Sequence, residues 1–99
     1  MAQKTNKESG GTSFHGTLIV CTPRELKKIL GEPTYEDNTG EDKVNLEWVC
    51  ETQNGKVFTI YDWKECRPIH EDEEIEWHIG GFKEADTRDA YDELVGLLN

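Results

Sequence analysis

The stretch from Lys43 to Lys64 constrains the fold more than any other part of this chain, because it has the pattern of a β-hairpin. Its sequence, KVNLEWVCETQNGKVFTIYDWK, holds two runs rich in β-branched and aromatic residues, separated by Asn54-Gly55. Asn-Gly between such runs is the strongest short-range hairpin signal, since a type I′ turn needs positive φ at both central residues. We therefore predict a two-residue turn at Asn54-Gly55 that fixes the register of both strands.

That register assigns each side chain of the hairpin to one face of a sheet. With Gln53 opposite Lys56, the broadly aromatic face carries the pairs Cys50–Thr59, Trp48–Tyr61 and Leu46–Trp63. The other face carries Val49–Ile60, Glu47–Asp62 and Asn45–Lys64. The aromatic face must be covered by other elements. The second face places two carboxylates directly opposite each other, an arrangement that sheets usually avoid.

Strand and helix signals surround the hairpin. The segment Thr12 to Thr22 contains the apolar run Leu18-Ile19-Val20, which predicts a central or well-covered strand. A helix begins at Thr22-Pro23-Arg24-Glu25, where Thr22 caps, Pro23 fits the first helical position and Glu25 completes a capping box. Gly31 ends this helix. Its apolar stripe, formed by Leu26, Ile29 and Leu30, packs on the sheet.

The C-terminal third predicts one more strand and one more helix. Ile75 to Ile79 alternates as a third strand of the hairpin's sheet, and Gly80-Gly81 stops it. Asp86 or Thr87 caps a last helix whose buried stripe is formed by Tyr91, Leu94, Val95 and Leu98. The order β-α-β-β-β-α predicts a small α+β domain, with a mostly antiparallel four-stranded sheet and both helices packed on one face.

Length and composition limit the classes of function. The 99 residues suffice for one domain, which we place at residues 12–99 after a flexible, polar N-terminal tail at residues 1–11. A formal net charge of -10 argues against direct binding to nucleic acid or to an anionic membrane. Three cysteines without a CxxC pair indicate reduced thiols, and no signal peptide or membrane span is visible, so we expect a bacterial cytosol.

Three segments are candidates for a binding site. Asp62-Trp63-Lys64 ends the hairpin, Trp77 to Gly81 joins a histidine to two glycines, and Gly11 to Thr17 is dense in hydroxyls before a strand. Glycine lets a ligand approach the backbone, and hydroxyls with backbone N–H groups bind phosphate. The residues that we predict to bind a ligand are Thr12, Ser13, Tyr61, Asp62, Trp63, Lys64, Arg67, Trp77, His78, Gly80 and Gly81.

Each segment also has a structural explanation. The charges near Lys64 suit a solvated outer face, and Gly80-Gly81 suits a strand that turns into a loop. The tryptophans and Tyr61 either belong to the hydrophobic core or form a surface on which a ligand stacks. A metal set of Glu47, Asp62 and His78 has no diagnostic spacing, no GxSxG motif is present, and the cysteines lack the surroundings of activated thiolates. We therefore expect a protein that is not an enzyme and that has neither a cofactor nor a metal site.

Several motifs together resemble a group of small proteins encoded by tailed phages. They are GTxxxGT, LxxxLGEPT, an EW strand, GxVxTIYDWKE and EWHIGG, in this order, between Gly11 and Gly81. The most specific parts are Gly31 to Thr34, Tyr61 to Lys64 and Trp77 to Gly81. The resemblance implies a viral accessory role in the host bacterial cytosol, and small non-enzymatic phage proteins often act against host defence. It does not define a chemistry.

Two mechanisms follow for such a protein. The first is a sponge, either a monomer or a homo-oligomer, that sequesters a nucleotide-derived immune signal. In it, Tyr61, Trp63 and Trp77 stack on a base while Lys64, Arg67 and His78 neutralise phosphate. The second is an acidic inhibitor of a host defence complex, of the anti-CRISPR or DNA-mimic type, because acids cluster at residues 36–42 and 71–76. The local combination of glycine, aromatic and basic residues favours the sponge.

Overall fold

The computed structural model describes residues 1–99 and contains two helices and one six-stranded antiparallel sheet. The elements in chain order are β1 (Gln3–Lys4), β2 (Ser13–Cys21), α1 (Pro23–Leu30), β3 (Tyr35–Glu36), β4 (Leu46–Glu51), β5 (Val57–Tyr61), β6 (Ile75–Gly81) and α2 (Glu84–Leu98). The strand order is β1-β4-β5-β6-β2, and β3 also pairs with β4. The predicted α+β class is confirmed. The sheet has six strands rather than four because two short strands, β1 and β3, extend its β4 edge.

The hairpin has a longer loop than we predicted, and this changes its register by one residue. The backbone N–H of Gly55 donates to Thr52 O at 2.8 Å, and that of Thr52 donates to Lys56 O at 2.9 Å. Of the three residues Gln53, Asn54 and Gly55 only the last has positive φ, so they form a three-residue loop in place of the type I′ turn. The Thr52 hydroxyl stabilises this loop by accepting the Lys56 N–H at 3.1 Å.

The changed register exchanges the faces of β5. Glu47 now pairs with Tyr61 and Trp48 with Ile60, because a slip of one residue turns every side chain to the other side. The predicted pairing of Trp48 with Tyr61 is therefore wrong. The face that packs on the helices carries the side chains of β4 and β5 that belong to the hydrophobic core, namely Leu46, Trp48, Cys50, Phe58 and Ile60. We call the opposite side the open face; it carries Glu47 and Tyr61.

Two tryptophans form the centre of the core beneath the helices. Trp48 and Trp77 are both fully buried, and their rings meet edge to face with centroids 5.6 Å apart. The Trp77 Nε1–H donates to Cys21 O, and the Trp48 Nε1–H donates to Gly31 O, each at 2.9 Å. Both indoles therefore fill the core without an unsatisfied donor.

Helix α1 matches its prediction, and helix α2 matches in part, since Leu94, Val95 and Leu98 do face the core. The Thr22–Glu25 capping box is present in α1. Helix α2 begins at Glu84 rather than at Asp86 or Thr87, and Thr87 is buried with its hydroxyl donating to Glu84 O at 2.7 Å. Tyr91, expected in the buried stripe, is exposed, while Ala90 and Leu94 are buried. Neither helix is long and apolar enough to cross a membrane.

The two ends of the sheet also differ from expectation. Strand β2, predicted to be central or well covered, is an edge strand whose Leu18 and Val20 are 37% and 55% exposed. A shift in its pairing lies between Phe14 and Leu18, around Gly16 at φ +95°. Residues 1–11 are not separate from the domain in this structure, since Ala2 is buried in the core and β1 pairs with β4.

Candidate functional site

A row of side chains crosses the open face of the sheet from one edge to the other. Tyr35 pairs with Glu47, Glu47 with Tyr61, Tyr61 with His78, and His78 with Leu18. Paired residues of an antiparallel sheet project to the same side, so these five side chains lie next to one another. The carboxylate of Glu47 is thus placed between two tyrosines, and His78 lies on the far side of Tyr61.

A cavity of about 410 Å³ lies beside this row. Its lining comes from the turn before β2 and from the open-face side of β4, β5 and β6: Ser9, Gly10, Gly11, Thr12, Ser13, Val44, Glu47, Thr59, Tyr61, Trp63 and Gly80. We call this cavity the open-face pocket. Its volume falls within the range of small-molecule sites in proteins. Its lining is rich in hydroxyls and aromatic rings.

Gly80 is required for this pocket to exist. It pairs with Thr59 on one side and with Phe14 on the other. A Cβ atom at position 80 would lie 2.6 Å from the Thr59 hydroxyl oxygen and 3.4 Å from Cε1 of Tyr61. The absence of a side chain therefore lets Thr59 and Tyr61 line a depression where any other residue would fill it.

Four rings form a continuous aromatic cluster next to the pocket. The Tyr61 ring lies 6.2 Å from Trp63 and 5.5 Å from His78, measured between centroids. The imidazole of His78 stacks on Phe14 at 4.0 Å, with 20° between the planes. Trp63 and Phe14 remain 39% and 41% exposed. An exposed aromatic cluster of this kind offers flat surfaces on which a planar ligand can stack.

The turn before β2 supplies the polar rim of the pocket. The Thr12 backbone N–H and hydroxyl both donate to Ser9 O, at 3.1 and 2.8 Å. Gly11 has φ +95°, a conformation that glycine adopts without strain. The predicted site residues Thr12 and Ser13 therefore do line the pocket, as do Tyr61, Trp63 and Gly80.

Glu47 is the only charged side chain in the lining of the pocket. It is half-buried and forms no ion pair. Burial alone raises the pKa of its carboxyl, because no donor or cation stabilises the charged form. Burial also raises the pKa of Tyr61, and the charge of Glu47 adds to this effect. A half-buried carboxylate without a partner is typical of a functional site.

Partial burial disfavours the charged form of His78, which pairs with Tyr61 across the sheet. Burial lowers the pKa of His78, and the nearby charge of Glu76 opposes this effect. A neutral imidazole packs well in the aromatic cluster, since its ring stacks on Phe14. His78 thus contributes a ring to the aromatic cluster, and its lowered pKa weakens the prediction that it neutralises phosphate.

Two lysines lie over the indole of Trp63, which is one of the two aromatic rings that line the pocket. The ammonium groups of Lys43 and Lys64 lie 5.8 and 5.6 Å from the centroid of the Trp63 ring, within cation–π distance. A backbone hydrogen bond from Lys64 N–H to Lys43 O, 2.8 Å long, holds the two residues together. Neither lysine forms an ion pair with a carboxylate of the chain.

Four of the predicted site residues lie elsewhere. The fully buried Asp62 accepts three hydrogen bonds, from Asn45 N–H, Asn45 Nδ2 and Leu46 N–H, and so holds the start of β4. Arg67 is paired with Glu73 and Glu65. Trp77 and Gly81 face the core; a Cβ at Gly81 would lie 2.9 Å from Cγ2 of Thr87. Three of these residues are buried and Arg67 is ion-paired within the chain, so all four have a structural role in this fold.

Three residues at or beside the pocket were not predicted from the sequence, because the face on which each lies follows from the observed pairing of the strands. Thr59 and Val44 line the pocket, and Phe14 stacks on His78. Glu47 had been considered with Asp62 and His78 as a metal set, but Asp62 lies in the core at the other face. The combination of Thr52 and Gly55 around Asn54 was the signal that could have revealed the loop, and with it the face of each residue.

The cysteines and acidic groups supply no second cluster in the structure. Cys21 and Cys50 are buried, and burial raises the pKa of each thiol to about 12, while Cys66 is exposed. All three cysteines are unpaired. No group of three or more His, Cys, Asp or Glu side chains is arranged so that it could hold a metal ion.

A second groove runs between β2 and α2, on the far edge of the sheet. It encloses about 360 Å³ and is mainly apolar, with Leu18, Val20, Tyr91, Val95 and Leu98 among its lining residues. Glu25 and Glu74 are the charged residues that line it. It lacks the convergent polar groups that fix the orientation of a small ligand, so the open-face pocket is the better candidate site.

Comparison with models of protein families, with curated proteins and with solved structures finds no match to this chain. The similarity to small phage proteins therefore stays a prediction. The chemistry of the open-face pocket is inferred from its own residues.

Proposed function

We propose that this protein is a non-catalytic binding protein that takes a nucleotide-type ligand in the open-face pocket. One observation carries the proposal: the same cavity presents two aromatic rings, Tyr61 and Trp63, and a half-buried carboxylate without a partner, Glu47. A planar base with hydrogen-bond donors on its edge satisfies both features at once. Base–aromatic stacking contributes about 1–3 kcal/mol per base.

The surroundings of Trp63 suit the phosphate end of such a ligand. Lys43 and Lys64 carry no partner carboxylate and lie on the exposed ring of Trp63. A base stacked near Trp63 would bring its phosphate within reach of both ammonium groups, and Lys binds phosphate as a point charge. Arg67, which we had expected to share this task, is already paired with Glu73 and Glu65.

The proposed biological role is sequestration. In a phage-encoded protein, a pocket for a nucleotide-type ligand would lower the free concentration of a nucleotide-derived immune signal in the host cytosol. The support for this role is the resemblance to small phage proteins, together with the pocket itself. The role needs affinity but no catalytic group.

The alternative of an acidic inhibitor loses support at one of its two acidic segments, whereas the carboxylates of residues 36–42 form no ion pair. In the acidic segment 71–74, Glu71 pairs with Lys27 at 2.6 Å, Asp72 with Arg24 at 2.7 Å, and Glu73 with Arg67. A carboxylate paired within its own chain contributes less to the attraction of a basic partner. We therefore favour the small ligand over a partner protein.

A thermal-shift screen tests the proposal. Purified protein is heated with cyclic dinucleotides, cyclic trinucleotides and cyclic ADP-ribose isomers, and binding to the native state raises the melting temperature by mass action. We expect a shift with one class of compound, and we expect Lys64→Asn to reduce it. Asparagine tolerates the φ of 56° at this position, so this variant should remain folded.

The matched control is Lys28→Gln, which removes an exposed lysine of α1 away from the pocket. Its shift should equal that of the wild-type protein. If no compound shifts the melting temperature, the ligand-binding function is wrong, and purification of host proteins bound to this chain would then test the acidic inhibitor.

A further inference from the structure

We infer that the base bound in the open-face pocket is guanine, recognised on its Watson–Crick edge by the carboxylate of Glu47. This inference rests on the proposed function and names the ligand class of the same site. It follows from the hydrogen-bonding character of a single side chain, the only charged group among the residues that line the pocket.

The position of Glu47 fixes what it can recognise. Its neighbours in the row across the sheet are Tyr35 and Tyr61, and the carboxylate makes no hydrogen bond or ion pair within the chain. An ionised carboxylate only accepts hydrogen bonds, and it has two oxygens to do so. The ligand group that faces Glu47 must therefore present donors, ideally two adjacent ones.

Among the common bases, guanine alone meets this requirement with its Watson–Crick edge. Its N1–H and N2–H₂ groups are adjacent donors that match the two oxygens of one carboxylate. Adenine and cytosine each present a donor beside a ring-nitrogen acceptor, and that acceptor would face a carboxylate oxygen. Uracil presents one N–H between two carbonyl oxygens. A buried site that accepts two N–H groups discriminates strongly against bases that lack them.

The remaining lining residues complement the other atoms of guanine. The O6 carbonyl accepts hydrogen bonds, and hydroxyl donors are present in the pocket at Thr59 and Ser13. The flat rings of Tyr61 and Trp63 lie nearly perpendicular to each other, at 83°, so one ring can stack on the base while the other contacts its edge. No lysine or arginine lines the pocket to compete for Glu47.

Isothermal titration calorimetry with GMP and AMP tests the inference on three proteins. The wild-type protein should bind GMP at least about tenfold more tightly than AMP. Glu47→Gln replaces the double acceptor by one acceptor and one donor, which match adenine instead, so its preference should reverse. The matched control, Glu76→Gln, removes an exposed carboxylate on the same face of β6 outside the pocket and should keep the preference for GMP.

The outcomes separate this inference from the proposed function. Reversal in Glu47→Gln alone supports guanine recognition by Glu47. Equal binding of GMP and AMP, unchanged by Glu47→Gln, overturns the assignment of guanine but keeps a nucleotide-binding protein. Absence of binding by either nucleotide to the wild-type protein, together with no shift in the cyclic nucleotide screen, overturns both.

Discussion

Asp62 and Glu47 lie near each other at one end of the β4–β5 hairpin, on opposite faces of the sheet, and their carboxylates have opposite surroundings. Asp62 is fully buried and accepts three hydrogen bonds, at 2.8, 2.9 and 2.9 Å. Glu47 is half-buried and accepts none from the chain. Buried polar groups in folded proteins are nearly always satisfied, and Asp62 follows that rule.

The difference separates a structural carboxylate from a candidate recognition group. The chain surrounds Asp62 with N–H donors, so its charge stabilises the start of β4. Glu47 carries the cost of partial burial, which its raised pKa reflects, without a compensating partner. Groups that lower the stability of a fold in this way are often retained for function.

The largest loss of stability is expected for a tryptophan on the core face of the sheet, and it is compared with that for a tryptophan on the open face. Trp77→Ala removes a fully buried indole and its hydrogen bond to Cys21 O, and should lower the free energy of unfolding by about 3–5 kcal/mol. Trp63→Ala should lower it by less than about 1 kcal/mol, because the ring is 39% exposed on the open face. Urea denaturation of both variants measures the difference. Equal losses would mean that the open face is as essential to the fold as the core.

An intermediate effect is expected at the buried carboxylate. Asp62→Ala leaves the N–H groups of Asn45 and Leu46 buried without their acceptor. Each unsatisfied buried donor costs roughly 1–3 kcal/mol, so we expect a loss of about 3 kcal/mol in the free energy of unfolding. The same urea titration measures it. A loss below about 1 kcal/mol would show that water replaces the carboxylate and that Asp62 is not structural.

The smallest effect has the opposite sign. Glu47→Gln should raise the free energy of unfolding at pH 7 by less than about 1 kcal/mol, because it removes a half-buried charge without a partner. The melting temperature should rise accordingly. The pKa of Glu47 is raised in the folded state, so the folded protein binds the proton more tightly than the unfolded chain. Glu47 therefore contributes to the stability of the wild-type protein below its unfolded-state pKa, and this contribution is lost as the pH rises through its folded-state pKa.

The gain from Glu47→Gln should therefore shrink as the pH of the melting experiment falls from 7 toward 4. Calorimetric scans of wild-type protein and variant across this range measure it. A variant that is less stable than the wild-type protein at pH 7 would show that Glu47 has a stabilising partner, and the case for a recognition group would fail.

The sequence predicted the elements of this fold better than their arrangement. The capping box of α1 is local, since Thr22 and Glu25 are three residues apart, and it was predicted correctly. The register of the hairpin depended on one choice between two turns that share Asn54-Gly55. The Thr52 hydroxyl favours the longer loop, and the change of one residue reassigned every side chain of β5 to the other face.

The candidate site could be predicted only in part for the same reason. Tyr61, Trp63, Gly80, Thr12 and Ser13 were recognised by residue type, and the structure gathers them around one pocket. Which members of each motif face the pocket could not be predicted without the register and the strand order. The pairing of β6 with β5, which brings Gly80 beside Thr59, depends on contacts far apart in the chain.

The alternation of faces has an evolutionary consequence for the motif Tyr61-Asp62-Trp63. Asp62 serves the stability of the fold, whereas Tyr61 and Trp63 line the pocket. Under the proposed function, descendants of this chain that adapt to a different ligand would be free to change positions 61 and 63, while position 62 would stay aspartate under selection for folding alone. Divergence in such a motif is expected at every second residue, so an unbroken match along its length would indicate relatives that retain both the fold and the ligand.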